Sequence, residues 1–175
     1  FGLNKDDLDL TSSSEDLIVR RTAADDSDLK TAPLHSAPEG TYQYEARLTG
    51  LNPDTIYHYA GFDGDKRLTP DDGTFTFRTH PVPGTGRELY FWAVGDSGTG
   101  TAQQKAVFEA MREYNQKNKL TLDMYLHVGD MAYGSGKDPE LQSNFFEIYQ
   151  PTLRNTVCWP AMGNHEGRHS SGATA

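Results

Sequence analysis

Three polar residues that each follow a glycine recur at equal distances in the second half of this 175-residue chain. They are Asp96, Asp130 and Asn164, and 34 residues separate each of them from the next. An apolar segment precedes each one, and a strand–helix–strand unit takes about 30 or more residues. The spacing therefore predicts that the three residues lie at the carboxyl ends of successive parallel strands. These strands are expected over 88–94, 122–128 and 157–162.

Helical patterns separate these strands, which predicts an α/β domain with a parallel sheet over residues 88–175. Thr99 or Thr101 is suited to cap a first helix over 101–117. The strand over 88–94 is apolar almost throughout, as a strand covered on both faces would be. The predicted apolar face of the first helix comprises Val107, Ala110, Met111 and Tyr114. That of the second helix comprises Leu141, Phe145, Ile148 and Tyr149.

Residues 1–80 have a different pattern, which predicts β structure. Alternating apolar side chains favour strands over 41–48, 55–60 and 74–79, with turn signals between them. Short strands divided by turns are typical of a sandwich, which needs about seven strands. Fewer are legible here, so we expect an incomplete all-β sandwich, with Tyr side chains in its core. Residues 81–87 contain two prolines and two glycines and are expected to link this domain to the α/β domain.

Charge and cysteine content exclude several classes of function. The formal net charge is −9, so the chain is poorly suited to neutralise the phosphates of a nucleic acid. The single cysteine, Cys158, excludes a disulfide within the chain and a zinc site made of cysteines alone. We interpret it as a small buried hydrophobe. No apolar run is long enough to span a membrane.

The three strand ends present oxygen ligands. Two carboxylates and an amide oxygen at one sheet edge would repel each other unless a cation lay between them, and hard oxygen ligands suit divalent or ferric ions. The sequence therefore predicts a metal site at this edge. His127 lies three residues before Asp130 and projects from the opposite face of its strand, so we interpret it as a core residue or as one in a second layer behind the site.

The strand-end motifs resemble the first three metal-site motifs of the calcineurin-like metallophosphoesterases, and of their purple acid phosphatase branch in particular. The motifs are Gly-Asp-Ser-Gly at 95–98, Gly-Asp-Met-Ala-Tyr at 129–133 and Gly-Asn-His-Glu at 163–166. The wider family has Asp-Xaa-His at the first motif. This chain instead has Gly98 there and Tyr133 three residues after Asp130, which is the pattern of the branch. The stretch from Glu140 to Pro151 is similar to the same branch.

The resemblance implies a dinuclear metal centre, with Fe(III) in the first position and Zn, Mn or Fe(II) in the second. Asp96 would bind the first metal, Asp130 would bridge both metals, and Tyr133 would bind the ferric ion as a phenolate. Asn164 would bind the second metal, and His165 would act on the leaving-group oxygen as a proton donor or donate a hydrogen bond to phosphate. The implied activity is hydrolysis of phosphorylated small molecules or other phosphate esters, by attack of a metal-bound hydroxide on phosphorus. The implied location is secreted or extracytoplasmic.

Residues 44–59 resemble the end of a fibronectin type III module, which precedes the phosphoesterase domain in the same branch. Its role would be structural or positioning. The branch also has a later lone His and a Gly-His-Xaa-His motif, which supply the remaining nitrogen ligands, and neither follows here. We therefore expect that the sequence is a fragment, that 88–175 is the N-terminal half of the catalytic domain, and that the fragment alone is inactive.

Two other classes of function stay open. Gly95-Asp96-Ser97 after a strand also resembles the nucleophile block of GDSL-type serine esterases, although the later Asp-Xaa-Xaa-His of that family is absent. The second alternative is a non-catalytic β-sandwich binding module with a decayed phosphoesterase domain. Loss of activity on substitution of Ser97 would favour the first alternative, and absence of stoichiometric metal would favour the second.

Overall fold

The structure is a computed structural model that describes residues 1–11, 17–21 and 42–167. Thr41, the first residue of an expected strand, lies outside the described residues. The chain divides into two compact units. The first comprises Phe1–Val19, Tyr44–Glu88 and Arg154–Thr156, and the second comprises Arg20–Gln43, Leu89–Leu153 and Val157–Ala175. The predicted linker therefore falls at the end of the central segment of the first unit.

The described residues before the linker form six short strands, which pair two by two as β1–β2, β3–β6 and β4–β5. Their bounds are Leu17–Arg21, Tyr42–Ala46, Ile56–His58, Phe62–Asp63, Lys66–Arg67 and Thr76–Arg78 for β1 to β6. The described strands form separate pairs, so the sandwich stays a prediction. In the β3–β6 pair, Tyr57 is 2% exposed and stacks on its cross-strand partner Phe77, with ring centroids 5.6 Å apart. Tyr57 is thus a core residue of the first unit, as expected.

The second unit has a three-stranded sheet in the order β7-β8-β9, and both strand pairs are parallel. The strands are Phe91–Val94, Met124–His127 and Cys158–Pro160 for β7, β8 and β9. Helix α1 connects β7 to β8, and two helices with a π-helical turn between them connect β8 to β9. These elements are α1 (Ala102–Asn118), α2 (Asp138–Leu141), the π-helical turn (Gln142–Phe146), α3 (Glu147–Leu153) and, after β9, α4 (Asn164–Gly167). This is the connectivity that the alternation of strand and helix patterns predicts.

An aromatic cluster forms the core of the second unit on the helical side of the sheet. Phe108, Tyr125, Phe145 and Tyr149 are at most 4% exposed, and Trp92 stacks on Tyr125 with ring centroids 4.8 Å apart. The predicted apolar face of the second helix is confirmed, because its remaining members pack against this cluster as well. Cys158 packs there too, and burial raises the pKa of its thiol to about 11.

The opposite face of this sheet is apolar but exposed in the described part of the chain. Phe91 is 63% exposed and Trp159 is 57% exposed. The prediction that the strand over 88–94 is covered on both faces is therefore wrong for the described residues. The physical reason is that the described helices pack on one face only, so Trp92 is covered while its neighbour Phe91, which points the other way, is not.

Helix α1 uses a face that shares Met111 with the predicted one but is otherwise different. It begins after Thr101, whose hydroxyl accepts the N–H of Gln104 at 3.5 Å, so Thr101 is the cap. The buried residues of α1 are Gln104 and Phe108, whereas Val107 is 57% exposed and Tyr114 is 62% exposed. The larger Phe108 ring packs between core aromatic side chains, and this rotates Val107 and Tyr114 towards solvent.

Candidate metal centre

The loops after β7 and β8 meet where there is no room for a side chain. The N–H of Asp96 donates to the carbonyl of Gly129 at 3.0 Å, and the N–H of Gly98 donates to the carbonyl of Asp130 at 3.1 Å. A Cβ at Gly98 would lie 2.1 Å from the backbone of Met131. A histidine therefore does not fit at position 98, and the departure from Asp-Xaa-His has a packing reason.

The loops after β8 and β9 meet in the same way at Gly163. A Cβ there would lie 2.2 Å from both the backbone nitrogen and Oδ1 of Asp130. The backbones of Asp96 and Asp130 share a left-handed conformation, with φ of 52° and 55°. Aspartate tolerates this conformation better than most residues other than glycine, and such strained positions cluster at functional sites. Two equivalent strand ends thus make the same uncommon turn.

The hydroxyl of Tyr133 lies between two carboxylates. It donates to Oδ1 of Asp96 at 3.1 Å and to Oδ2 of Asp130 at 3.2 Å. Asp130 is 5% exposed, whereas Asp96 is exposed. The structure therefore brings together three of the four side chains that the sequence analysis assigned to metal binding.

The protonation states of these groups follow from their neighbours. The N–H of His165 donates to Oδ1 of Asp130 at 3.0 Å, and this hydrogen bond, together with the one from Tyr133, lowers the pKa of Asp130. Burial and the two carboxylates raise the pKa of Tyr133 to about 12. At neutral pH the phenol keeps its proton, and this single proton is shared between the two carboxylates in a bifurcated hydrogen bond.

The two distances from the Tyr133 oxygen are close to those between neighbouring oxygen ligands of one small cation. Two oxygens bound at right angles to an ion, each at about 2.0–2.2 Å, would lie about 2.8–3.1 Å apart. The phenol oxygen of Tyr133 lies 3.1 and 3.2 Å from the two carboxylate oxygens. Carboxylate and phenolate are hard ligands, so this set suits a hard and highly charged ion that can ionise the phenol.

Asn164 does not take part in this contact. It is the first residue of α4, its side chain is exposed, and the hydrogen bonds that join Tyr133 to the carboxylates do not involve it. Within residues 1–11, 17–21 and 42–167, no group of three or more His, Cys, Asp and Glu side chains is placed to hold a metal ion. The described residues thus bring Asp96, Asp130 and Tyr133 into contact, and Asn164 lies outside that contact.

His165 lies against the ring of Tyr133, edge to face, with ring centroids 4.4 Å apart. Its Nδ1 is 2.7 Å from the carbonyl oxygen of Gly134. Because a carbonyl oxygen only accepts hydrogen bonds, Nδ1 carries a proton. Nε2 is then the ring atom of His165 that can exchange a proton with a ligand.

Two residues that the sequence analysis did not single out hold these loops in place. The side-chain amide of Asn144 donates to the carbonyls of Gly98 and Tyr133, both at 3.1 Å. The carboxylate of Glu140 accepts three backbone N–H groups, which lower its pKa. These N–H groups belong to Gly134, Ser135 and Lys137, at 2.9–3.1 Å. Glu140 had a local signal, an acidic residue at the third position of a helix that begins at Asp138 and has Pro139 in its first turn, whereas Asn144 had none.

A buried chain of hydrogen bonds lies next to this site. Gln104 Nε2 donates to the hydroxyl of Tyr149 at 3.0 Å, and that hydroxyl donates to Ser97 Oγ at 2.9 Å. Ser97 Oγ is in turn 2.9 Å from Nε2 of His127. His127 is 0% exposed, and its Nδ1 has no hydrogen-bond partner among the described residues. The core position predicted for His127 is confirmed, but its contact with Ser97 was not predicted.

Comparison of the chain with models of protein families, with curated proteins and with solved structures found no match. Among the described residues, no helix has the length and apolar character needed to cross a membrane. An assignment of function therefore depends on the geometry and the motifs of the three loops.

Proposed function

We propose that this chain is part of a metal-dependent hydrolase of phosphate esters of the purple acid phosphatase type. The observation that carries the proposal is the Tyr133 hydroxyl between the carboxylates of Asp96 and Asp130. Ordinary turn chemistry accounts for a single Gly-Asp pair at a strand end. It does not account for two aspartates in the same left-handed turn with a phenol inserted between them.

In this proposal Asp96, Asp130 and Tyr133 hold the first metal, and Asp130 with Asn164 contributes to a second. A two-metal centre, when bound, lowers the pKa of a water ligand and neutralises charge on the phosphoryl group. The net charge of −9 does not oppose a phosphorylated substrate, because the local positive charge comes from the metals. The role of the chain is to orient the ligands, through the close contacts between its three loops.

With both ring nitrogens protonated, His165 would donate the proton on Nε2 to the leaving-group oxygen and keep the one on Nδ1. The carbonyl of Gly134 fixes the ring through Nδ1, so the proton that can be transferred is at a defined atom. The backbone N–H of His165 meanwhile holds Asp130, which couples the position of the proton donor to that of a metal ligand.

The second candidate function is that of a serine esterase, and the contact between Ser97 and His127 favours it. A distance of 2.9 Å between Oγ and Nε2 suits a nucleophile and its base. The surroundings do not suit such a pair, because Nδ1 of His127 lacks an orienting carboxylate in the described structure. The Tyr149 hydroxyl also donates to the partly buried Ser97 Oγ, so a lone pair of the would-be nucleophile is already occupied. We therefore retain this function as the alternative.

Substitutions at Asp130 and Ser97 separate the two functions. The assay is hydrolysis of an aryl phosphate by the natural full-length protein loaded with Fe³⁺ and Zn²⁺. We expect Asp130→Asn to lower kcat/KM by about 100-fold or more. Substitution of a residue that only hydrogen-bonds to a metal ligand lowers metal affinity or activity by about 10–100-fold, and loss of a ligand itself should cost more. Ser97→Ala removes two partly buried hydrogen bonds, with Tyr149 and His127, costs about 1–3 kcal/mol of stability and leaves most of the activity.

The opposite pattern, loss of activity in Ser97→Ala and none in Asp130→Asn, would support the esterase and reject the metal enzyme. The decayed binding module is tested on the same samples by metal analysis. We expect stoichiometric metal in the wild-type protein and in Ser97→Ala. A wild-type protein that holds no stoichiometric metal after loading would favour the decayed module.

A further inference from the structure

The carboxylate of Glu166 joins two of the three strand-end loops. Its Oε2 accepts the N–H of Asp130 at 2.9 Å and the N–H of Gly163 at 2.8 Å. Its Oε1 accepts the N–H of Ala132 at 3.1 Å. Asp130 and Ala132 belong to the loop after β8, and Gly163 belongs to the loop after β9. One side chain thus satisfies three backbone donors on two separate loops.

Close packing confines the Glu166 side chain. A Cβ at Gly163 would lie 2.8 Å from Oε2 of Glu166. A Cβ at Gly136 would lie 2.6 Å from its Cα and 3.0 Å from its Cγ. Backbone therefore approaches Glu166 from two sides, which leaves little space for another rotamer of the side chain.

We propose that Glu166 is a positioning residue of the site. By holding the backbone of Asp130 against the loop after β9, it fixes the direction in which the Asp130 carboxylate faces Tyr133. Glu166 also follows His165 directly, so the same contact holds the His165 N–H on Oδ1 of Asp130. The inference rests on the proposed function in one respect, namely that this cluster binds a cation.

The chemistry of the three donors explains why the position needs a carboxylate of this length. All three partners are N–H groups, and a carboxylate only accepts hydrogen bonds. In Glu166→Gln, an NH₂ group replaces one oxygen, so at least one backbone N–H faces another donor. In Glu166→Asp, the charge is kept but the side chain is one methylene shorter. Its carboxylate therefore cannot reach the N–H groups of both loops as well as that of Glu166 does.

The first readout is amide hydrogen exchange, measured by NMR on the metal-free chain. We expect the amides of Asp130, Ala132 and Gly163 to exchange about tenfold faster or more in Glu166→Gln, since a hydrogen bond to a charged group is lost. The second readout is Mn²⁺ affinity, measured by electron paramagnetic resonance of the free ion. We expect it to fall by about 10–100-fold, as for other residues that orient metal ligands.

Two control variants separate positioning from general stabilisation. Glu140→Gln makes the same chemical change at another carboxylate that accepts three backbone N–H groups, but all of these are in one loop. We expect a similar loss of thermal stability with no change in exchange at Asp130. Glu147→Gln alters an exposed residue of α3, and we expect neither exchange nor Mn²⁺ affinity to change.

Unchanged exchange at Asp130 together with unchanged Mn²⁺ affinity in folded Glu166→Gln would overturn the positioning role. If that variant does not fold, Glu166→Asp replaces it, and intermediate exchange with intermediate affinity is expected. If Glu166→Asp shows the wild-type exchange rate at Asp130 and the wild-type Mn²⁺ affinity, the positioning role is likewise overturned. If the wild-type chain binds no Mn²⁺ while exchange at Asp130 rises in Glu166→Gln, the proposed function is contradicted and the positioning of Asp130 is supported.

Discussion

At the scale of single residues, the proposed metal site depends on how Tyr133 shares its proton. A phenol whose pKa is raised to about 12 donates to both neighbouring carboxylates at any physiological pH. Only a strong Lewis acid in the same position would ionise it, and a ferric ion meets that requirement better than zinc. A tyrosine at position 133 therefore favours ferric iron over zinc as the metal of the proposed site.

His127 makes the stability of the chain sensitive to mild acid. Burial lowers its pKa below the ordinary value of 6.5, so the folded chain holds it neutral and the unfolded chain binds the proton first. Stability is therefore lost as the pH falls below about 6.5, down to the folded pKa. We expect the urea midpoint of the wild-type chain to decrease as the pH is lowered from 7 to 5. In His127→Gln, we expect the urea midpoint to depend less steeply on pH.

The matched control is His80→Gln, because His80 is exposed and lies outside the core of the second unit. It should keep the wild-type slope. Equal slopes in wild type and His127→Gln would contradict the neutral buried state of His127. If the pH dependence of the urea midpoint were lost in His80→Gln instead, the acid sensitivity would come from His80 and not from His127.

At the scale of elements, helix α1 illustrates what a periodic pattern does and does not determine. Its bounds and its Thr101 cap follow from local chemistry and were predictable within a residue or two. The choice of buried face was not, because Val107 and Phe108 are both apolar and adjacent. The contacts that select Phe108 come from Trp92 and Tyr149, which are distant in sequence.

The face of α1 is open to a direct stability test. Phe108→Ala should destabilise the chain by about 3–5 kcal/mol, because it leaves a cavity among packed aromatic rings. Val107→Ala, at a position that is 57% exposed, should change stability by about 0.5 kcal/mol or less. Denaturant unfolding followed by circular dichroism measures both. A larger loss for Val107→Ala than for Phe108→Ala would contradict the buried face described here.

At the scale of the whole molecule, the predictable features were those encoded locally. The equal spacing of Asp96, Asp130 and Asn164 predicted three strand ends, and the parallel pairing of β7, β8 and β9 places them along one edge. The contacts made by Glu166 and Asn144 were not predictable, because each depends on loops that meet only after the sheet has formed. The open face of β7 was also mispredicted, since an apolar run does not reveal how many of its faces are covered.

The most direct test of the central claim, that Asp96, Asp130 and Tyr133 bind a hard cation, is the visible absorption of the chain loaded with Fe³⁺ at mildly acidic pH. Phenolate coordinated to ferric iron gives a charge-transfer band, so we predict a purple protein with one iron per chain. Tyr133→Phe should lose the colour, and Tyr114→Phe, on the exposed face of α1, should keep it. Bound iron without colour, or colour that persists in Tyr133→Phe, would contradict this site.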